Sequence, residues 1–552
     1  MGTEDDGKRA MTAKTTNQTI FQTVVEPATP PLRALAWCFG VLIAGAPLAQ
    51  LAVEKARGKK IQTLDYFAPL ARERGEQSWP QFGKQLALDF ASEPRLRRFE
   101  DDLRSASFIT SDTLPWYQLG LTTLFHHGNH RVVGGNDGWL FFADDLASAY
   151  GRGYLEEGVG GQEALAAIDD FRDQLAERGI PLLLIPSFSK EMLDPEQLST
   201  FTEGVRSTEN RDLDRFYAEL ERRNHNFIRM RELFDACLAA NGGAPLALPR
   251  DTHWSPPTMA FCAEKLAERA RELLAEKAPA PDHSPRFKKT QLSIEGDGDL
   301  VRMLSLPAGH RVDPPMQLAL EPIVDATTGT PVASDPKSDV LLMGDSLTKV
   351  FSDPSLGLGA NAGLGEHLAL HLDRALDVIA LPGGSASATR EALARREGGL
   401  DGKRLVIWQF GVRMLASGPR EWRPVHLTKL GDAPDTTDVP TATVRLIGKV
   451  VETSDQPPEF DYAFSLGIVE LEVEQVLEGT TDKIAEKGRV WVGFPIIVDG
   501  KDTPYRHLDL GTYLELLVDD LRLHFDLANT SFVDNTSAGR VLLFPKSAKP
   551  VK

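Results

Sequence analysis

Val340-Leu341-Leu342-Met343-Gly344-Asp345-Ser346 is the stretch from which the fold is read. Four apolar residues form a strand, Gly344 ends it, and the residues after Ser346 suit a helix. A serine at the C-terminal end of a parallel strand, beside a helix N-terminus, stands where α/β folds place reactive groups. Backbone N–H donors there can hold an oxyanion. The surroundings are not Gly-x-Ser-x-Gly, which argues against the α/β-hydrolase elbow. Outward from this point the pattern alternates: helix over 162–178, buried strand over 181–185, helix over 210–223, then helix 365–374, strand 376–381, helix 388–396 and strand 405–410. Such β-α-β-α alternation predicts an α/β parallel sheet flanked by helices.

A second motif precedes the first. Asp251-Thr252-His253-Trp254 runs into Ser255-Pro256, where serine can cap a helix and proline fits its first position. Extended backbone before the cap puts side chains two apart on one side, so the Asp251 carboxylate reaches the His253 ring. A general base needs that pair, because the carboxylate fixes the tautomer and supports the imidazolium that forms.

Composition bounds the rest. With 61 basic and 79 acidic side chains among 552 residues the net charge is −18, which excludes a basic nucleic-acid binder. Three cysteines exclude a disulfide-dense scaffold, leaving one bridge, Cys237 to Cys262, open. Residues 34–53 are uncharged and match the roughly 20 residues that cross a hydrocarbon core. They are expected to be an uncleaved anchor after a polar tail, 1–33. Four basic residues on either side leave its orientation undecided by charge. Residues 61 to about 130 mix helical patterns with the aromatic-rich Leu-Pro-Trp-Tyr-Gln-Leu, then reach Gly138-Trp139-Leu140-Phe141, a turn into a strand. Residues 431–440 are breaker-rich and read as a linker. Beyond them Val469, Leu471 and Val473 alternate with glutamates, so 441–552 is expected to be a small antiparallel β-barrel or sandwich.

Gly-Asp-Ser after a strand, Asp-Thr-His-Trp-Ser before a helix and the upstream Gly-Trp-Leu-Phe together resemble the alginate O-acetyltransferase proteins of the AlgX and AlgJ type, which carry an SGNH-hydrolase-like domain. The resemblance spans roughly residues 130 to 415, within an expected domain of 61–430. In SGNH hydrolases generally the Asp/His pair follows the serine; here it precedes, as in the acetyltransferase branch. The resemblance implies Ser346 as nucleophile, His253 as general base and Asp251 as its orienting partner. It implies an inner-membrane anchor with the catalytic body in the periplasm. A polysaccharide acceptor, an acetyl donor supplied by a membrane-bound O-acyltransferase, and no cofactor go with that reading. Gly384 matches the oxyanion glycine of SGNH folds, and an ordinary βα turn explains it as well. The asparagine expected after the next strand is absent, with Gln409 or Arg413 as substitutes.

Trp254 reads as a sugar-stacking ring or a core aromatic. His126, His127 and His130 lack the partners of a metal site, so no metal is expected. The same triad serves hydrolysis of acetyl esters, and a polysaccharide-binding scaffold with a vestigial triad is the reading from another class. Because many secreted bacterial polysaccharides are acidic, the net charge implies either a neutral acceptor or a local basic patch drawn from Lys190, Lys349 and Arg413.

Overall fold

The computed structural model describes residues 30–58, 61–71, 78–91, 96, 99–100, 103–104, 106–199, 209–275, 284–383, 386–396, 398–427, 443–454, 464–480, 488–498, 501–521, 532–533 and 542–551. The expected linker and Gly384 lie outside the described residues. The chain forms two compact units, Met1–Trp116 and Tyr117–Lys552.

In the first unit the apolar stretch lies in helix α1, Pro30–Ala56. Within it Trp37–Ala56 is long and apolar enough to cross a membrane, with a mean hydropathy of 1.5. In its last turns two polar side chains, Gln50 and Glu54, are buried. The Gln50 amide donates to the Ala106 carbonyl and accepts from the Phe108 N–H, both at 2.9 Å. Glu54 accepts from the Thr63 hydroxyl at 3.0 Å, and Arg57 pairs with Asp112. These hydrogen bonds tie the following segment to the end of this helix.

The second unit holds the sheet that the apolar runs predict. Strands β1 (Leu182–Ser187), β2 (Asn226–Phe227), β3 (Val340–Gly344), β4 (Asp377–Ala380) and β5 (Leu405–Gly411) lie in the order β4-β3-β5-β1-β2, all parallel. The chain builds outward on both sides before β5 fills the centre, so β3, β5 and β1 present neighbouring C-terminal ends at the switch in strand order, where open α/β sheets place ligands. Register pairs Leu342 with Ile407 and Met343 with Trp408, so Leu342 and Trp408 point to opposite faces. Helix Gly161–Ala176 covers one, with Phe171 edge-on to Trp408 at 5.4 Å. Helix Leu364–Leu372 covers the other, and Pro256–Leu274 packs beside it. Cys237 and Cys262 are buried free thiols in this core, so the bridge left open by the sequence is not made.

The C-terminal strands Val444–Thr453, Phe464–Glu478, Arg489–Val498, Tyr513–Asp520 and Leu542–Pro550 close into a barrel, not a sandwich. Their order is first-second-third-fifth-fourth and back to the first, with third and fifth parallel and the other pairs antiparallel. That is the strand order of the OB barrel. Val469, Leu471, Val490 and Val492 fill its interior, as the two-residue period requires.

Gly344 is the tightest point of the sheet. A Cβ there would lie 2.0 Å from Thr348 Oγ1 and 2.8 Å from Gln409 Oε1. Gly344→Ala is therefore expected to cost about 1–3 kcal/mol by overpacking, read as a lower denaturant midpoint; an unchanged midpoint would contradict this packing.

Candidate active site

Two strand ends build the turn that carries Ser346. Asp345 is the N-cap of the short helix Ser346–Lys349, its Oδ1 accepting from the Leu347 N–H at 2.9 Å. Its Oδ2 accepts from the Gly411 N–H at 3.1 Å, which links the end of β3 to the end of β5. Gln409 reinforces the link, because its carbonyl oxygen accepts from the Asp345 N–H at 3.0 Å and the Thr348 hydroxyl at 2.9 Å. Both partners are donors, which fixes the amide's orientation. The Gln409 NH₂ is then left buried without a partner among the described residues. Ser346 is half-buried.

The second motif forms a tight loop. Leu248 N–H donates to the His253 carbonyl at 3.0 Å and Ser255 N–H to the Leu246 carbonyl at 2.7 Å. Ser255 is the N-cap as expected, but its hydroxyl meets that of Thr258 at 2.9 Å instead of a backbone N–H. His253 Nδ1 and Asp251 Oδ1 are 2.6 Å apart, while Nε2 is buried without a partner among the described residues. Asp251 also accepts from the N–H groups of His253 at 3.1 Å and Asp299 at 2.8 Å. Burial works to raise its pKa, but the His253 charge and these hydrogen bonds hold the carboxyl at about 2. For His253 burial works downward, and the negative charge of Asp251, then of Asp299 and Asp345, outweighs it, so the imidazole's proton affinity is raised. The Asp345 contribution puts the serine turn and the histidine in one electrostatic neighbourhood.

Three carboxylates or cations around this pair escaped the sequence reading or were misread by it. Asp299 receives the Thr252 N–H at 2.9 Å and the Thr252 hydroxyl, and its Oδ2 lies 3.9 Å from His253 Nδ1. Burial, then the Asp251 charge, pushes its carboxyl up to about 6. Its only local signal is Gly298, held at φ +89° with no room for a Cβ beside the Arg250 carbonyl. Asp145, buried, pairs with Arg413 at 3.1 Å, and that guanidinium lies 5.6 Å from the Phe142 ring centre. Lys190 was expected at a basic patch and is instead buried. Its ammonium donates to the carbonyls of Leu140 and Pro249 at 2.6 Å and of Asp251 at 3.3 Å. It also sits over the Trp139 and Phe141 rings at 4.7 and 5.0 Å. Burial, against the pull of Asp251 and Asp299, lowers its pKa to about 7.

The other candidates are placed more simply. Trp254 is 1% exposed, which makes it a core aromatic and removes it as a sugar platform. Lys349 pairs with Asp353 at 3.3 Å. His126, His127 and His130 are exposed. Among the described residues the one group with metal-like spacing is Asp251, His253 and Asp299, ligand atoms within 4.8 Å of one another. The 2.6 Å contact there is a hydrogen bond through the ring nitrogen that a cation would need.

The chain is similar to several known proteins. The probable alginate O-acetylase AlgJ of Pseudomonas aeruginosa is 26% identical over 298 residues, covering 53% of this chain and 72% of that protein. A second AlgJ, from Pseudomonas fluorescens, is 26% identical over 235 residues, covering 41% of this chain and 53% of its own length. The solved O-acetyltransferase domain of Pseudomonas putida AlgJ aligns with 52% of this chain and 92% of its own, at 21% identity and a TM-score of 0.39. A family model for the SGNH hydrolase-like domain of acetyltransferase AlgX matches residues 132–412, from the strand before the Trp139 turn to the end of β5. With Asp251, His253 and Ser346 all inside that match, the chain belongs to the AlgX family of acetyltransferases with an SGNH hydrolase-like domain.

Proposed function

We propose that the chain acetylates hydroxyls of an extracellular polysaccharide through an acetyl-serine intermediate. The observation that carries this reading is the state of the two His253 nitrogens: Nδ1 is engaged by a buried carboxylate, and Nε2 is buried, unpaired and free to take a proton. Ser346 Oγ attacks the donor's acetyl carbonyl while His253 Nε2 accepts the hydroxyl proton. The tetrahedral intermediate collapses, the leaving group departs with that proton, and Ser346 is acetylated. A sugar hydroxyl then attacks the ester, passing its proton to His253, and Ser346 leaves as the alkoxide and is reprotonated by the imidazolium. The unpaired Gln409 NH₂ supports it as an oxyanion donor in place of the missing asparagine. Gly384 is the second donor, on the resemblance. Arg413, held by Asp145, is a binding residue for donor or acceptor.

The wider setting belongs to the same proposal. Residues 34–53 anchor the chain in the inner membrane, 61–430 form the periplasmic acetyltransferase body, 431–440 a linker, and 441–552 an accessory barrel of a class that elsewhere binds oligosaccharides. A membrane-bound O-acyltransferase delivers the acetyl group, because acetyl-CoA is cytoplasmic and Ser346 is outside. The named relatives point to alginate as the acceptor class. Hydrolysis of acetyl esters is the competing reading, since water can replace the sugar hydroxyl.

Purified protein given a chromogenic acetyl ester and an oligosaccharide acceptor is expected to form acetylated oligosaccharide in proportion to acceptor, and Ser346→Ala to form none. Free acetate as sole product at every acceptor concentration would contradict the transferase reading.

The pH profile follows from the histidine. Only neutral His253 can act as base, and its raised pKa puts the midpoint of the rising limb of the rate above the ordinary value near 6.5. Asp251→Asn removes the main charge raising it, so the limb is expected to move to lower pH while the rate falls roughly 10⁴-fold as the tautomer loses its anchor. Asp299→Asn is expected to move the limb the same way by less. A limb unmoved in Asp251→Asn would remove the pair from the mechanism.

A further inference from the structure

Helix α2, Leu114–Phe125, is inside out. Gln118 and Thr122, four apart on one face, are buried, whereas Tyr117, Leu124 and Phe125 are 61, 74 and 71% exposed. The buried face is held by hydrogen bonds: the Gln118 amide donates to the Gly128 carbonyl at 3.0 Å, and the Thr122 hydroxyl to the His127 carbonyl at 3.1 Å. Leu114, Tyr117, Leu121 and Leu124 repeat at helical spacing beside that polar stripe, with Leu121 half-buried and the others exposed, while Phe125, seven residues after Gln118, is exposed at the helix end. Residues 114–130 contain no Asp, Glu, Lys or Arg. A helix in water does the reverse, burying its apolar stripe and exposing charge.

Where the helix begins identifies its solvent. Asp112, two residues before Leu114, is ion-paired to Arg57, which follows the last residue of α1. On the anchor reading of residues 34–53, this apolar face starts where the anchor leaves the bilayer. Tyr117 and Trp116 lie in the first turn, and rings with an apolar body and a polar tip favour the headgroup level.

We propose that α2 lies in the membrane interface, with Leu114, Tyr117 and Leu124 sunk into the boundary between headgroups and acyl chains of the bilayer that α1 crosses. The proposal rests on the anchor reading of residues 34–53. Interfacial helices often add lysines and arginines that seek anionic lipid. This one has none, so apolar burial alone holds it, and its depth is independent of lipid charge and of salt. A docked protein segment is the alternative occupant.

The test uses the full chain with Cys38→Ser, so that the buried Cys237 and Cys262 are the only native thiols. Spin labels are placed singly by Val41→Cys, Leu124→Cys and Asp173→Cys, and the protein is reconstituted into phosphatidylcholine vesicles. Collision with oxygen is compared with collision with a polar nickel chelate. The expected result is a Val41 label deep in the bilayer, an Asp173 label in water, and a Leu124 label with an oxygen-to-nickel ratio several-fold above that of Asp173, unchanged by anionic lipid or added salt. A deep Val41 with Leu124 matching Asp173 would overturn the interfacial helix and leave the anchor standing. A Val41 label in water would overturn both. A Leu124 label that meets neither reagent would mean a protein occupant and overturn the lipid one. Tyr117→Cys gives the same reading from the same face if Leu124→Cys does not fold.

Discussion

Asp251 is a carboxylate with almost no access to water, and a buried charge persists only if its lone pairs and its field are both answered. The His253 ring, two backbone N–H groups and, through the residue's own carbonyl, the Lys190 ammonium supply that answer. They come from three stretches: His253 from the loop of Asp251 itself, Asp299 and Lys190 from elsewhere in the chain. The loop 246–255, the turn at Asp299, the segment of Lys190 and the strand at Leu140 must all converge for Asp251 to stay ionised. The Trp139 turn, remote from Asp251 in sequence, is drawn in because its carbonyl and rings stabilise the Lys190 cation. Breaking one such partner leaves an uncompensated buried charge, which costs more than any one contact gains.

The sheet was legible because parallel strands buried on both faces leave unbroken apolar runs, as in Val340–Met343 and Leu405–Phe410. The pair Asp251 and His253 was legible because extended backbone fixes the geometry of residues two apart. Asp299 and Asp145 were not, since their partners lie 48 and 268 residues away and nothing local marks the approach. Lys190 was misread because lysine is ordinarily a surface residue; here three carbonyls and two rings replace its water. Gln409 was named as an oxyanion substitute, but the half of its amide that holds the Asp345 turn could be seen only once β3 and β5 lay side by side.

The acidic balance of the chain extends into this neighbourhood. Of the three cations expected to form a basic patch, Lys190 is buried, Lys349 faces Asp353, and Arg413 faces Asp145. Asp251, Asp299 and Asp345 all raise the proton affinity of His253. The same field that favours the imidazolium opposes a polyanion such as alginate, so an alginate acceptor requires positive charge from residues other than these three.

Trapping the acyl-enzyme tests the central claim most directly. Full-length protein mixed with an activated acetyl ester and no acceptor, quenched rapidly, digested and mapped by mass spectrometry, is predicted to carry one acetyl group on the peptide containing Ser346, lost on adding an oligosaccharide acceptor and never gained in Ser346→Ala. An acetyl group found on another residue, or an unmodified Ser346 during sustained turnover, would contradict the account.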